Sequence, residues 1–281
     1  MIELSSNEIL KIKNDLHNLQ DFTLKNVSAL LDQYFTGSHR WPCESFSGEQ
    51  MDNKLKVDFS HASDGYFLAA IGTKTVHKMK LRVTKDDNLL NYDLNRHGDY
   101  EVIPFQMGSG MYVITLWENI YSNKYASAGR FIVNVQLTNE NAAFLMPNQY
   151  VNYNESTEAV AKANELCAGK TTAEAYAAIK SFISEQFRYD YVKACTVKKG
   201  ILPDIDTCFT KKSGICQDLA ALTVCMLRTQ GIVSKLVIGT ADNNYHAWVL
   251  LELNGKTHLF DPTAAVNHKK STAKYIAERY Y

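Results

Sequence analysis

The chain has 281 residues, 46% of them hydrophobic, and its 30 Lys and Arg balance 30 Asp and Glu to a formal net charge of zero. That length supplies cores for two ordinary domains, and the charge balance gives no field to draw the chain to nucleic acid or to an anionic membrane. No uninterrupted apolar run of about 18 residues occurs, and Met1-Ile2-Glu3-Leu4 does not open a basic-then-apolar leader, so no membrane span is expected. The expectation is a cytoplasmic location for the chain as given, or an extracellular or cell-surface one if a leader has been trimmed.

In chain order, Ser5-Ser6-Asn7-Glu8 has the form of a capping box. Ile9, Ile12, Leu16, Leu19, Val27, Leu30 and Tyr34 follow at near-helical spacing, which predicts a helical segment over residues 1–55 with an apolar packing face. From Lys56 to Gln149 the texture changes to short apolar runs: Tyr66 to Ile71, Val76 to Val83, Tyr100 to Phe105, Met111 to Trp117 and Phe131 to Leu137. Turn formers such as Lys85-Asp86-Asp87-Asn88 and Gly108-Ser109-Gly110 part them. Short strands at this spacing predict an antiparallel β-sandwich over residues 56–153. Tyr112, Trp117, Tyr121 and Tyr125 are either core or a ligand surface. The sandwich is read as an accessory domain whose partner is a protein or a cell-surface polymer.

After Met146-Pro147-Asn148-Gln149 the pattern turns helical with Ala159, Ala163 and Leu166. A Thr171-x-x-Glu174 capping box then opens Ala175, Ile179, Phe182 and Ile183. A boundary near Tyr153 leaves residues 154–281 as a third region. The stretch from Val192 to Ser213, with Lys198-Lys199, Pro203 and Lys211-Lys212, reads as a long irregular loop, functional or disordered. Cys43, Cys167, Cys195, Cys208, Cys216 and Cys225 contain no CxxC pair, which argues against a zinc ribbon and a disulfide scaffold. Cys195 and Cys208 bracket the loop and are read as free thiols that only an oxidising compartment would pair.

Ser213-Gly214-Ile215-Cys216 runs directly into Gln217 to Leu227, with Leu219, Leu222 and Met226 on one face and Gly231 as the stop. Cys216 therefore falls in the first turn of a helix, where the macrodipole and unpaired N–H groups favour a thiolate. Cys225, further along the same helix, is read as a buried small hydrophobe. Val233 to Ile238 predicts a strand, Ala241 to Asn244 a turn, and Tyr245 to Leu253 a second strand placing His246, Trp248 and Leu250 on one face. Asn254-Gly255 is a strong two-residue hairpin signal. It would set Leu253 opposite Lys256, Trp248 opposite Asp261 and His246 opposite Thr263. Asp261 then becomes a diagonal neighbour of His246, close enough for carboxylate and imidazole to meet. A thiolate at a helix start, a strand histidine and an aspartate beside it fill the roles of nucleophile, base and orienter. His258 and His268 are read as surface histidines.

Gly214-Ile215-Cys216-Gln217-Asp218-Leu219-Ala220, Gly231-Ile232, His246-Ala247-Trp248 and Asp261-Pro262-Thr263 together resemble the transglutaminase-like core of many bacterial proteins. Tyr189-Asp190 matches the Tyr-Asp pair that precedes its catalytic loop, and the likeness runs from about Thr171 to Thr263. It implies an α+β, papain-like fold at the C-terminus, a catalytic triad of Cys216, His246 and Asp261, and acyl transfer through a thioester. Asp218, often acidic in such proteins, is read as a cap or loop tether, since a second anion would oppose a thiolate. The Cys216 N–H is the natural oxyanion donor, and Tyr189 is the second candidate by its family position.

The reading is a thiol peptidase or amidase acting on protein or peptide amides, with no cofactor and no metal. A catalytically idle transglutaminase-like module used for binding is the rival from another class. Calcium-dependent cross-linking ranks lower because no carboxylate-rich calcium loop is present.

Overall fold

The structure is a computed structural model and describes residues 47–198 and 200–281. The expected N-terminal stripe from Ile9 to Tyr34, and Cys43, lie outside the described residues.

Alternation dictates the first half. Strands β1 (Glu49–Asp52), β2 (Leu55–Asp58), β3 (Tyr66–Ile71) and β6 (Glu101–Pro104) form one antiparallel sheet in the order β1-β2-β3-β6. A second antiparallel sheet has the order β5-β4-β7-β8, from β4 (Met79–Lys85), β5 (Asn88–Leu94), β7 (Gly110–Tyr121) and β8 (Lys124–Val135). In β4, Met79, Leu81 and Val83 are buried while Arg82 between them is exposed, the period of two expected of a half-covered sheet. Side chains from both sheets, among them Val57, Phe67, Leu81, Ile103, Phe105 and Ile114, share one buried cluster.

The Lys85 to Asn88 turn closes the β4–β5 hairpin, with Asp86 at φ +52°. Two expectations shift. The run begun at Val76 becomes a strand only at Met79, because Val76 is 84% exposed in a loop. Strand β5 was not expected, since its Asn and Asp residues hide an alternation that pairing with β4 enforces. Of the four aromatics, Tyr112 is core and Tyr121 is exposed. Trp117 and Tyr125 lie under Arg82 and Lys80 at 5.7 and 5.9 Å from their ring centroids.

The second half carries helices α1 (Glu158–Cys167), α2 (Thr172–Gln186), α3 (Tyr191–Thr196), α4 (Ile205–Lys211), α5 (Cys216–Thr229) and α6 (Pro262–Val266). Strands β11 (Ser234–Ala241), β12 (Asn244–Leu253), β13 (Lys256–Phe260) and β14 (Tyr275–Tyr280) form an antiparallel sheet in the order β13-β12-β11-β14. Short strands β9 (Arg188–Tyr189) and β10 (Ser213–Gly214) pair in parallel as a separate two-stranded sheet. Helix α5 is the core element: every residue but Gln217 is buried, and it packs against β11, β12, α1, α2 and α4. Gly231 at φ +76° follows its end, as its place in the sequence implies.

The Val192 to Ser213 stretch is not the irregular loop expected from sequence. It holds α4 and most of α3, each started by an aspartate cap: Lys193 N–H donates to Asp190 Oδ1 at 2.8 Å, and Thr207 N–H to Asp204 Oδ1 at 2.9 Å. The Thr171 box also forms, with Glu174 N–H donating to Thr171 Oγ1 and Thr171 N–H to Glu174 Oε2. At the far end of α5 the fully buried Arg228 donates to the carbonyls of Met146, Ser234 and Tyr281. The five described cysteines are all free thiols. Among the described residues no helix is long and apolar enough to cross a membrane.

Candidate active site

The start of α5 is packed too closely for side chains of ordinary size. A Cβ at Gly214 would lie 2.8 Å from both Asp218 Cβ and Cys208 Sγ, so glycine alone lets β10 turn into the helix here. Cys216 is the first residue of α5 and is 8% exposed. Its N–H belongs to the first turn, where donors have no intrahelical acceptor. Ile215 has no side-chain acceptor to cap this turn. The Asp218 carboxylate instead accepts the Ile215 N–H at 3.0 Å.

Asp218 does more than cap. Its side chain is fully buried, takes the Lys193 ammonium at 2.6 Å on Oδ2, and accepts the Asp204 N–H at 3.2 Å on Oδ1. One carboxylate thus joins α3, the start of α4 and the start of α5, the tether role read from sequence. Lys193 and Asp204 themselves were missed, since nothing in their local pattern marks a partner so far along the chain.

His246 and Asp261 come from one hairpin. Asn254 at φ +51° and Gly255 at φ +70° form the two-residue turn, Leu253 faces Lys256, and Val249 faces Phe260, the register expected from that dipeptide. The strand then stops one residue short of the expected geometry. Asp261 is not paired opposite Trp248 but caps α6, its Oδ1 accepting the Ala264 N–H at 3.0 Å, with Pro262 at the first helical position. From this cap its Oδ2 still reaches His246, whose Nε2–H donates at 2.9 Å. Cys216 lies near enough to the imidazole to contribute to its raised pKa. Because Nε2 is engaged by Asp261, Nδ1 is the nitrogen left for the sulfur.

Burial of the imidazole opposes its protonation, but the hydrogen bond to Asp261 and the nearby Cys216 outweigh burial and push its pKa up to about 9. Burial likewise opposes ionisation of Asp261. Donors from His246, Tyr275 and the Ala264 backbone prevail and hold its pKa below the usual carboxylate value. Tyr275, on β14, donates its hydroxyl to Asp261 Oδ2 at 2.6 Å. The alternating Tyr275-Ile276-Ala277-Glu278 run was a readable strand signal, though nothing in it names the hydroxyl's partner. The Trp248 ring, 1% exposed, closes the floor at 6.3 Å from His246 and 4.9 Å from Tyr275.

The structure therefore hydrogen-bonds His246 to Asp261 and brings Cys216 near the same imidazole. Tyr189 sits near Cys216, paired in β9 with Gly214 of β10 and packed on Tyr191 at 5.0 Å between ring centroids. Burial and the nearby Cys216 push its pKa up to about 12, so its hydroxyl keeps its proton at neutral pH.

Residues 156–279 match a family described as the transglutaminase-like domain. This segment is a transglutaminase-like domain. A comparison with curated proteins finds no match. Among solved structures, the chain is similar to a proposed cysteine protease from Cytophaga hutchinsonii, at 17% identity over 72% of each chain with a TM-score of 0.39. The periplasmic domain of TgpA from Pseudomonas aeruginosa, bound to ethylmercury, is 16% identical over 80% of this chain and 78% of that one, with a TM-score of 0.36. Red sea bream transglutaminase is 12% identical with a TM-score of 0.29; 70% of this chain is covered but only 48% of that enzyme, about half its length.

Proposed function

We propose that the transglutaminase-like domain is a thiol acyl-transfer enzyme acting on protein or peptide amides, with Cys216 as nucleophile, His246 as base and Asp261 as orienter. The observation that carries this reading is the hydrogen bond between Asp261 and His246, with a cysteine at the first position of a buried helix near the same imidazole. An imidazole whose pKa is raised to about 9 stands beside that sulfur and is ready to give a proton to a leaving amine.

The thiolate adds to the amide carbonyl, and the negative oxygen that forms is met by the Cys216 N–H and the Tyr189 hydroxyl. Collapse breaks the C–N bond as His246 protonates the departing nitrogen, leaving a thioester on Cys216. Water, deprotonated by His246, then releases the acid and restores the thiol; an amine in its place gives a cross-linked amide. Residues 154–281 supply this chemistry, and residues 56–153, a β-sandwich in this reading, position it on a protein or surface polymer.

The rival is an idle binding module, which the low exposure of Cys216 favours. Iodoacetamide labelling across pH, read by mass spectrometry on the native protein, separates the two. The enzyme reading expects fast labelling of Cys216 below about pH 7 that His246→Ala slows at least tenfold. Labelling of Cys216 at the rate of an ordinary thiol, indifferent to His246, would leave the binding module.

A further inference from the structure

Tyr275 lies outside every motif in the sequence, 14 residues past Asp261 at the start of β14, yet its hydroxyl reaches the same carboxylate oxygen as His246. Three donors converge on Asp261: the Ala264 N–H on Oδ1 at 3.0 Å, and His246 at 2.9 Å and Tyr275 at 2.6 Å on Oδ2. Ala264 and His246 engage one oxygen each, so Tyr275 is a second donor on the oxygen that faces the imidazole, bracing it and drawing on its charge.

The placement of Tyr275 depends on its neighbours. Its ring lies on Trp248, and β14 approaches β11 at Gly239, where any Cβ would come within 2.0 Å of the Ile276 carbonyl oxygen. The Ser271 hydroxyl also hydrogen-bonds the Tyr275 hydroxyl. As the single Tyr275 proton goes to the carboxylate, Ser271 is the donor there, and donation into the phenol oxygen strengthens the phenol's own donation. Burial and the Asp261 contact push the Tyr275 pKa up to about 12, so the donor is present throughout the working range.

We propose that Tyr275 is a positioning residue for the His246–Asp261 pair, bracing the carboxylate oxygen that faces the imidazole and taking up part of its charge. The inference rests on the thiol-enzyme reading for its catalytic meaning, though not for its geometry. The charge argument has a definite sign. A hydroxyl that shares the anion lowers its pull on His246, so removing the hydroxyl makes the imidazole harder to deprotonate.

The test is Tyr275→Phe in the full chain, which keeps the ring on Trp248 and removes only the oxygen. The His246 titration is followed by NMR on histidine-labelled protein, with iodoacetamide labelling of Cys216 in parallel. The inference expects the His246 midpoint to rise by about half a unit or more, and Cys216 labelling at pH 7 to slow by about tenfold as the pair loosens. Ser271→Ala should move the midpoint the same way by less, which keeps the inference testable if the Phe variant folds poorly. An unchanged midpoint in Tyr275→Phe, with labelling also unchanged, would overturn it. If instead His246→Ala fails to slow labelling in wild-type protein, the enzyme reading falls, while the midpoint still decides whether Tyr275 acts on the pair.

Discussion

Asp218→Asn tests what holds Cys216, the proposed nucleophile, in place. The exchange keeps size and removes the charge. Every hydrogen-bond partner of this carboxylate is a donor: Ile215 N–H and Lys193 on Oδ2, and Asp204 N–H on Oδ1. An amide has one acceptor oxygen and one NH2 donor. With the oxygen toward Ile215 and Lys193, the NH2 faces the Asp204 N–H and one buried donor is left unmet, at about 1–3 kcal/mol. The Lys193 bond also falls from charge-assisted to ordinary strength, about 1 kcal/mol more, kept modest because Lys193 is 28% exposed. The sum, about 2–4 kcal/mol, is to be read as a lower urea midpoint at unchanged slope. Because the lost bonds tie α3 and α4 to the start of α5, native Cys216 labelling should lose its dependence on His246 before the fold is lost. A change under about 0.5 kcal/mol with wild-type labelling would refute the tether argument.

Other expectations follow from the same geometry. The His246 pKa, raised to about 9, contributes stability that is fully present below its unfolded value and is lost as pH rises through about 9. Chemical melts should therefore weaken over that window in the wild type, and more weakly so in His246→Ala. Gly239→Ala places a Cβ 2.0 Å from the Ile276 carbonyl and 3.0 Å from Trp248, so β14 must shift; Tm should fall by several degrees and Tyr275 should lose its bond to Asp261, visible as an upward move of the His246 midpoint. Burial pushes the thiols of Cys167 to about 11 and Cys208 to about 12, and raises Cys225 as well. In native protein a thiol reagent should therefore modify Cys195 and Cys216 among the described cysteines, with the other three appearing only on unfolding; native modification of Cys225 would contradict the packing of α5.

The parts legible in the sequence are those with local causes. Asn254-Gly255 set the hairpin register because both residues tolerate positive φ, and that register is what brings Asp261 near His246. The turn from Gly214 into α5 was visible as a break in polarity before an apolar period of 3.6. The aspartate caps of α3 and α4 were not weighed, so two short helices passed for a loop whose lysines and proline conceal any period. The Asp261 cap was also unread: an Asp-Pro pair fits a helix start as well as a strand end, and α6 takes it at once. Tyr275, Lys193 and Asp204 were out of reach because their partners are decided by how β14, α3 and α4 dock.

Strand β14 is an edge strand whose side chains, Tyr275 apart, are exposed, and its pairing with β11 is interrupted by a bulge between Ile238 and Gly239. Such segments sit at the low end of local opening free energy, while the buried helix α5 opens only with the whole structure. Amide exchange should therefore be faster along β14 than along β12. Mild warming would first release β14, leaving Cys216, His246 and Asp261 in place with the carboxylate short of its Tyr275 donor. Thiol reactivity would then fade at a temperature where circular dichroism still reports a folded chain, making the edge strand a thermal fuse for the site.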